Sequence, residues 1–121
     1  MQRYHKQVFF PADSFSKLDI FCQNLTAQDW SFSTHAIERI KDNGKLSDIL
    51  TAIKKYAFDY QDIFEYYQDN GDIVKAVFRI GYTLQYDIIF VVSSEKNLIT
   101  VYLNDTQDKH FTLNTNQYQT A

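Results

Sequence analysis

The hydrophobic pattern of the chain changes once, at about Asp59, and this change limits the folds that the chain can adopt. Before Asp59, apolar residues recur at the spacing of a helix in three segments. After it, apolar and polar residues alternate as they do in β-strands. Helices followed by an unbroken series of strands are typical of the α+β class. We therefore predict an α+β domain.

The part of the chain before Asp59 divides into an N-terminal arm at residues 1–12 and a helical part at 13–58. The first helix begins at about Asp13, and Ser33 and Ser47 are the predicted caps of the second and third. No repeat, low-complexity tract or linker interrupts the chain, and 121 residues suffice for one core. We expect a single domain over residues 1–121.

Four strands are predicted after Asp59, within residues 60–104. Asn70-Gly71-Asp72 is a strong hairpin signal between the first two. The strands read Asp62 to Asp69, Ile73 to Thr83, Tyr86 to Val92 and Leu98 to Asn104. The expected architecture is a four-stranded antiparallel meander with the N-terminal helices packed on one face, followed by a C-terminal tail at residues 105–121.

Composition narrows the class of protein. Nine Tyr and ten Phe beside one Trp suggest a core built from rings and surface Tyr side chains suited to base stacking or to protein contact. Cys22 stands alone, which excludes an intrachain disulfide and a cysteine-rich zinc site. Gly-rich phosphate loops, zinc-protease motifs and nucleophile elbows are absent from the sequence, so we expect neither a cofactor nor a metal. No apolar run is long enough to span a membrane, and the first ten residues lack the apolar region of a signal peptide. We therefore expect a cytoplasmic protein that does not bind membranes.

The net charge of the chain limits how it could bind nucleic acid. The formal net charge is −3, and the sequence contains no basic run. Proteins that hold nucleic acid by neutralising phosphates usually carry an excess of Lys and Arg on one face. Any contact with nucleic acid must therefore be local, or the partner is a protein.

The second predicted helix places a His and an Arg side chain on the same side near its N-terminus. Ser33 is a good N-cap, which places His35 in the first helical turn, and Arg39 lies one turn later on the same side. The free N–H groups and the positive end of the helix dipole favour a bound anion there. The alternative is that His35 and Arg39 only form hydrogen bonds with neighbouring backbone.

Polar side chains alternate with apolar ones in two predicted strands. Lys75 and Arg79 fall on one side of the second strand, and Thr100 and Tyr102 fall on one side of the last. The two pairs would form a polar surface suited to anions if the strand register brought them together. The alternative is an ordinary solvated strand face.

Three features of the sequence together resemble a known family. They are a helix that opens with Ser-x-His-Ala-x-x-Arg, a second capped helix, and a meander whose last strand reads Ile99-Thr100-Val101-Tyr102-Leu103-Asn104. Over about Trp30 to Asn104 the chain resembles the RelE and BrnT types of small bacterial and phage proteins, within the barnase, EndoU, colicin and RelE ribonuclease fold. The resemblance implies metal-independent cleavage of RNA. It assigns the catalytic positions to His35, Arg39, Arg79 and Thr100.

In-line attack of a ribose 2′-hydroxyl on the neighbouring phosphate needs a base, an acid and cations for the phosphate oxygens. His35 is the expected base, and Arg39 and Arg79 are the expected phosphate clamp. Tyr82, Tyr102 or His110 would supply the acid or stack on a base. The candidates for binding RNA, a phosphate or a partner are these three residues and Lys75.

Two functions remain open. The first is a toxin-like endoribonuclease, whose partners would be RNA and an antitoxin or inhibitor. The second is a catalytically silent phage or mobile-element accessory protein of the same fold that binds a host or phage protein. The acidic charge and the Tyr content favour the second, whereas the His35 helix and the polar strand residues favour the first.

Overall fold

The computed structural model describes residues 2–6, 10–42 and 46–107, and it confirms the α+β class. Within these ranges the chain forms three α-helices, one 3₁₀ turn and six strands. In chain order they are β1 Gln2–His5, α1 Ser14–Thr26, β2 Ser31–Phe32, α2 Thr34–Asp42, α3 Leu46–Lys55, the 3₁₀ turn Tyr60–Asp62, β3 Ile63–Asp69, β4 Asp72–Gly81, β5 Tyr86–Ser93 and β6 Asn97–Asp105.

The sheet is larger than predicted. Its strand order is β1-β3-β4-β5-β6-β2. The four predicted strands pair antiparallel in chain order as β3 to β6, but the prediction of a purely antiparallel sheet of four strands is wrong, because one further strand lies at each edge. β1, from the predicted arm, pairs antiparallel with β3, and β2 pairs parallel with β6. Strands of four and two residues are too short to show a clear hydrophobic period, so the sequence pattern does not reveal them.

Alternate strand residues and the inner sides of the helices form one hydrophobic core. Rings dominate its centre, because Phe78 stacks on Phe90 with centroids 5.2 Å apart and Tyr56 meets both rings edge-on. The helices contribute Leu18, Phe21, Cys22, Leu25, Ala36, Ile40, Ile49 and Ile53. Burial of each large apolar side chain contributes about 1.5–3 kcal/mol, so this core supplies the main stabilisation of the fold.

Ser33 joins α2 to the edge of the sheet. Its Oγ accepts a hydrogen bond from the Ala36 amide at 3.1 Å, so Ser33 caps α2 as predicted. The same hydroxyl donates to the Ile99 carbonyl of β6 at 2.9 Å, and the Ser33 amide donates to the Leu98 carbonyl at 3.1 Å. These bonds fix the start of α2 beside β6. The predicted helix stop at Asn43-Gly44 lies outside the described residues.

Lys96 is a buried cation in the turn between β5 and β6. Its φ of 59° is in the left-handed region, and the residue is 7% exposed. The Nζ donates to the Gln28 carbonyl at 2.8 Å and lies 5.2 Å from the Trp30 ring centroid and 5.4 Å from that of Phe58. Lys96 therefore ties this turn to the segment that leads into β2.

Candidate functional site

Strand register brings four of the predicted residues onto one face of the sheet. Lys75 and Arg79 lie on the same side of β4. Arg79 is opposite Ile89 on β5, and Ile89 is opposite Tyr102 on β6, so these side chains all project from one face of the sheet. Thr100 follows on the same side of β6. The alternate residues of these strands enter the hydrophobic core beneath the helices. We call the side that carries Lys75 and Arg79 the second face.

On the second face, the side chain of Arg79 is bonded to two other strands of the same sheet. Its Nε donates to Oδ2 of Asp87 at 2.7 Å, and its Nη2 donates to the Asp105 carbonyl at 3.1 Å. Both side chains of the ion pair are only 20% exposed. Arg79 thus joins β4 to β5 and β6, and the second face at this point is not a solvated surface.

Lys75 lies in a separate polar cluster at the β1 end of the second face. Its Nζ is 4.4 Å from the Tyr67 ring centroid, within range of a cation–π contact. Oε1 of Glu65 accepts hydrogen bonds from Nε of Arg3 and, at 2.8 Å, from the Tyr67 hydroxyl. The sequence pattern does not predict this cluster, because residues 1–12 read as an arm and β1 lies within them. The alternation of Arg3 and His5 is the signal that could have found it.

Buried apolar residues separate the two groups. Val77, between Lys75 and Arg79 on β4, is 5% exposed, and Ile89 on β5 is fully buried. Thr100 and Tyr102 are both partly buried on β6. The second face therefore carries two ion-paired groups around an apolar centre, and the cations are not gathered at one point.

His35 and Arg39 lie on the other side of the sheet. Both are exposed residues of α2, whose Ala36 and Ile40 enter the core that also contains Val101. Since Thr100 and Arg79 project from the second face, the sheet separates them from α2. The structure therefore does not bring the predicted base together with the strand residues of the predicted catalytic set.

Two further candidates remain. Tyr82 is partly buried against the hydrophobic core, on the same side as Ile80 and away from Lys75. His110 lies outside the described residues.

A cleft that the sequence did not indicate lies where β3 begins. The pairing of β3 with β4 ends at Ile63 and Phe78, whereas β4 continues to Gly81. The end of α3 and the 3₁₀ turn flank the gap, which has a volume of about 410 Å³ and is open to solvent. Its lining residues are Ala52, Lys55, Tyr56, Asp62, Arg79, Ile80 and Gly81.

Tyr56 holds one polar group of the cleft, the carboxylate of Asp62. Its hydroxyl donates to Oδ2 of Asp62 at 2.7 Å and accepts from the Asp59 amide at 3.0 Å. Burial raises the pKa of Tyr56 far above the ordinary value for tyrosine, so the phenol stays protonated and acts as a donor. Tyr56 therefore orients the Asp62 carboxylate and cannot serve as a general base near neutral pH.

The described residues were also compared with the requirements of a reactive thiol, a metal site and a membrane-spanning helix. Burial raises the pKa of Cys22 from 9.0 to about 12, so the thiol is unreactive at neutral pH. Within residues 2–6, 10–42 and 46–107, no group of three or more His, Cys, Asp or Glu side chains is arranged to hold a metal. None of the described helices is long and apolar enough to cross a membrane.

Comparison with known proteins adds no assignment. The chain matches no protein-family model, no curated protein and no solved structure. The resemblance to the RelE and BrnT types therefore stays a hypothesis that rests on the sequence motif.

Proposed function

We propose that this domain binds another protein and does not itself cleave RNA. The observation that carries the proposal is the tip of the β4–β5 hairpin. Leu84 is fully exposed there, and Tyr86 beside it is more than a third exposed. Large apolar and tyrosine side chains at the centre of a contact supply much of the affinity of protein interfaces.

The tip is ordered before any partner binds. The Thr83 amide donates to the Tyr86 carbonyl at 2.9 Å, and the Tyr86 amide donates to Oγ1 of Thr83 at 3.0 Å. From the next turn, the Thr106 amide donates to the Gln85 carbonyl at 2.9 Å. Because the backbone is already held, association loses little conformational entropy at this site.

The surroundings of Leu84 indicate the chemistry of the partner. Asp105 is paired with Tyr86 in the sheet register and is exposed, and its Oδ1 accepts from the Gln107 amide at 2.8 Å. A carboxylate beside an apolar tip, on a chain of net charge −3, complements a partner with an apolar pocket and a basic rim. We propose such a protein as the partner.

The geometry of the predicted catalytic residues supports the same conclusion. A nuclease needs its base and its phosphate-binding cations within reach of one scissile bond. His35 is on the helix side of the sheet, whereas Arg79 is on the second face and is bonded to Asp87. The proposed function therefore requires no catalytic role for either residue.

Cross-linking at the hairpin tests the proposal. A photoreactive side chain at position 84 of the full chain, expressed in bacteria, should give one discrete cross-linked protein. The matched control is position 20, because Ile20 is also a large exposed apolar residue at 56% exposure. The affinity of the identified partner should fall about 30-fold or more in Leu84→Asp and stay unchanged in Ile20→Asp. Equal effects at both positions would contradict the proposal.

Ribonuclease activity is the second candidate, and the cleft is the observation that favours it. Lys55 borders this opening at the end of α3, and an ammonium group beside a solvent-open cleft of about 410 Å³ can bind a phosphate. Incubation of RNA with the purified chain in the presence of a chelator separates the candidates. We expect intact RNA. Cleavage that falls about 100-fold in His35→Ala without loss of stability would instead establish the nuclease.

A further inference from the structure

We propose that the C-terminal segment, residues 108–121, folds back over the second face of the sheet and covers its apolar centre. In this arrangement Phe111 packs on Ile89. Leu113, on the same side of the segment, packs on Val77. The inference goes beyond protein binding at the hairpin tip and does not depend on it.

The centre of the second face is closed to solvent. Ile89 is fully buried although it projects away from the helices, and Val77 on the neighbouring strand is 5% exposed. Arg79 and Tyr102, which stand beside Ile89 on β4 and β6, are themselves partly buried and do not form an exposed outer layer over it. The side of an antiparallel sheet that meets water carries polar residues. A fully buried isoleucine in the middle of that side therefore requires a cover.

No element of the described chain supplies this cover. The apolar residues of α1, α2 and α3 enter the core on the other side of the sheet, and Tyr60 of the 3₁₀ turn packs against that core. The remaining described elements are strands of the sheet itself. Since the structure consists of this one chain, the cover comes from a segment outside the described ranges.

Among those segments, only the C-terminal one can reach Ile89. Residues 43–45 connect α2 to α3, both of which pack on the helix side of the sheet. Met1 and residues 7–9 flank β1, which lies three strands, or about 14 Å, from β5. An extended chain advances at most about 3.5 Å per residue, so three residues fixed at both ends fall short. Residues 108–121 remain.

The chain enters this segment at the right end of the sheet. One residue after β6 ends, the Thr106 amide donates to the Gln85 carbonyl at 2.9 Å, beside the start of β5. Ile89 lies four residues along β5 from Gln85. A chain that turns back after Gln107 and runs in the direction of β5 covers the same length with four residues, which brings Phe111 to the level of Ile89.

The sequence of the segment matches the patch that it covers. Phe111 and Leu113 are two residues apart, with polar residues on either side of each, so an extended chain here has one apolar side. The same spacing separates Ile89 from Val91, which is paired with Val77 in the register of β5 and β4. Burial of two large apolar side chains on this patch stabilises the arrangement.

Contacts in the parent chain test the proposal directly. Nuclear Overhauser effects should link the ring protons of Phe111 to the methyl groups of Ile89 and not to those of Ile88, which enters the core on the other side of the sheet. The two adjacent isoleucines thus provide a control within one molecule. Effects from Phe111 only to the outer edge of β6, or to none of the second-face side chains, would overturn the assignment.

Solvent access shows whether the segment is the cover. In the parent, a soluble nitroxide should broaden the methyl signals of Ile89 no more than those of Ile88, because both residues are fully buried. In the full-length double variant Phe111→Ser with Leu113→Ser, the broadening of Ile89 should rise severalfold while that of Ile88 stays unchanged. If this variant does not fold, the contacts measured in the parent still decide.

The matched control changes the polar positions of the same segment. Thr112→Ser with Asn114→Ser leaves the apolar side intact, so Ile89 should stay protected from the nitroxide. Continued protection of Ile89 in the apolar double variant would show that another part of the chain covers the second face. Protection that disappears when the parent is diluted would assign the cover to a second copy. Either result would overturn the proposal.

Discussion

The two faces of the sheet are built from different interactions. The face beneath the helices is filled by rings and aliphatic side chains, with Phe78 and Phe90 stacked at its centre. The second face carries ion pairs, Arg79 with Asp87 and Arg3 with Glu65, on either side of buried Val77 and Ile89. The same four central strands contribute to both faces, because successive side chains of a strand point in opposite directions.

This difference shows why charged residues on a strand are weak indicators of a site. Apolar burial depends on area and tolerates small changes in geometry, whereas a partly buried charge needs a specific partner. The partner of Arg79 is Asp87. Asp87 lies on β5 two residues before Ile89, the residue directly opposite Arg79. A cation committed in this way holds strands together, and its charge is largely neutralised before any ligand arrives.

The largest effect is expected from the helix side of the sheet. Phe90→Ala removes a fully buried ring that contacts Phe78, Tyr56 and Trp30 and should lower the free energy of unfolding by about 3–5 kcal/mol. Chemical denaturation measures the loss. Phe15→Ala is the control, because its ring is 45% exposed and should cost less than about 1 kcal/mol. Similar losses in the two variants would contradict the assignment of the core.

A smaller loss is expected when the ion pair of the second face is broken. Asp87→Ala leaves the guanidinium of Arg79 partly buried without its carboxylate and should cost about 1.5–3 kcal/mol. The double variant Arg79→Met with Asp87→Leu removes both charges and should recover most of the loss. Urea denaturation of the single and double variants measures the difference. No recovery in the double variant would show that the pair is not the source of the loss.

Alkaline pH should destabilise the domain through two groups buried on the helix side of the sheet, Cys22 and Tyr56. The unfolded chain ionises the Cys22 thiol near pH 9.0, whereas burial raises the folded pKa to about 12. The stabilising contribution is therefore complete below pH 9.0 and falls by about 1.4 kcal/mol per pH unit above it. Tyr56 acts in the same direction, since burial raises its pKa as well.

Denaturation midpoints at several pH values between 8 and 11 measure this dependence. Cys22→Ala should flatten it even though the variant is less stable overall, and Tyr56→Phe should flatten it further at the upper end. An unchanged slope in Cys22→Ala would mean that the thiol does not contribute.

The smallest effect concerns Lys96, the one described cation that is buried among rings. Lys96→Met keeps the length of the side chain but leaves the Gln28 carbonyl without its donor and removes the contacts with Trp30 and Phe58. We expect a loss of about 1 kcal/mol in thermal unfolding. Lys41→Met on exposed α2 should change stability by less than about 0.5 kcal/mol. A gain in stability for Lys96→Met would show that desolvation of the ammonium outweighs its contacts.

Much of the fold could be predicted because local signals agree with it. The hairpin at Asn70-Gly71 forms with both residues at positive φ, 51° and 85°, as its sequence requires. Ser33 caps α2, and the four predicted strands occur as β3 to β6 within about two residues of the expected bounds. In each case the preference lies in the residue and its immediate neighbours.

Local periodicity alone therefore determined the α+β class, the order of the longer elements and the side of each strand on which Lys75, Arg79, Thr100 and Tyr102 lie. Only the tertiary structure decided that β1 and β2 extend the sheet, that Arg79 pairs with Asp87, and that His35 faces away from the strand residues. The cleft at Lys55 and Asp62 also arises only there, because it depends on where β3 stops relative to β4. Register, edge pairing and the side on which a helix lies are set by contacts between distant segments, and those contacts have no counterpart in local residue spacing.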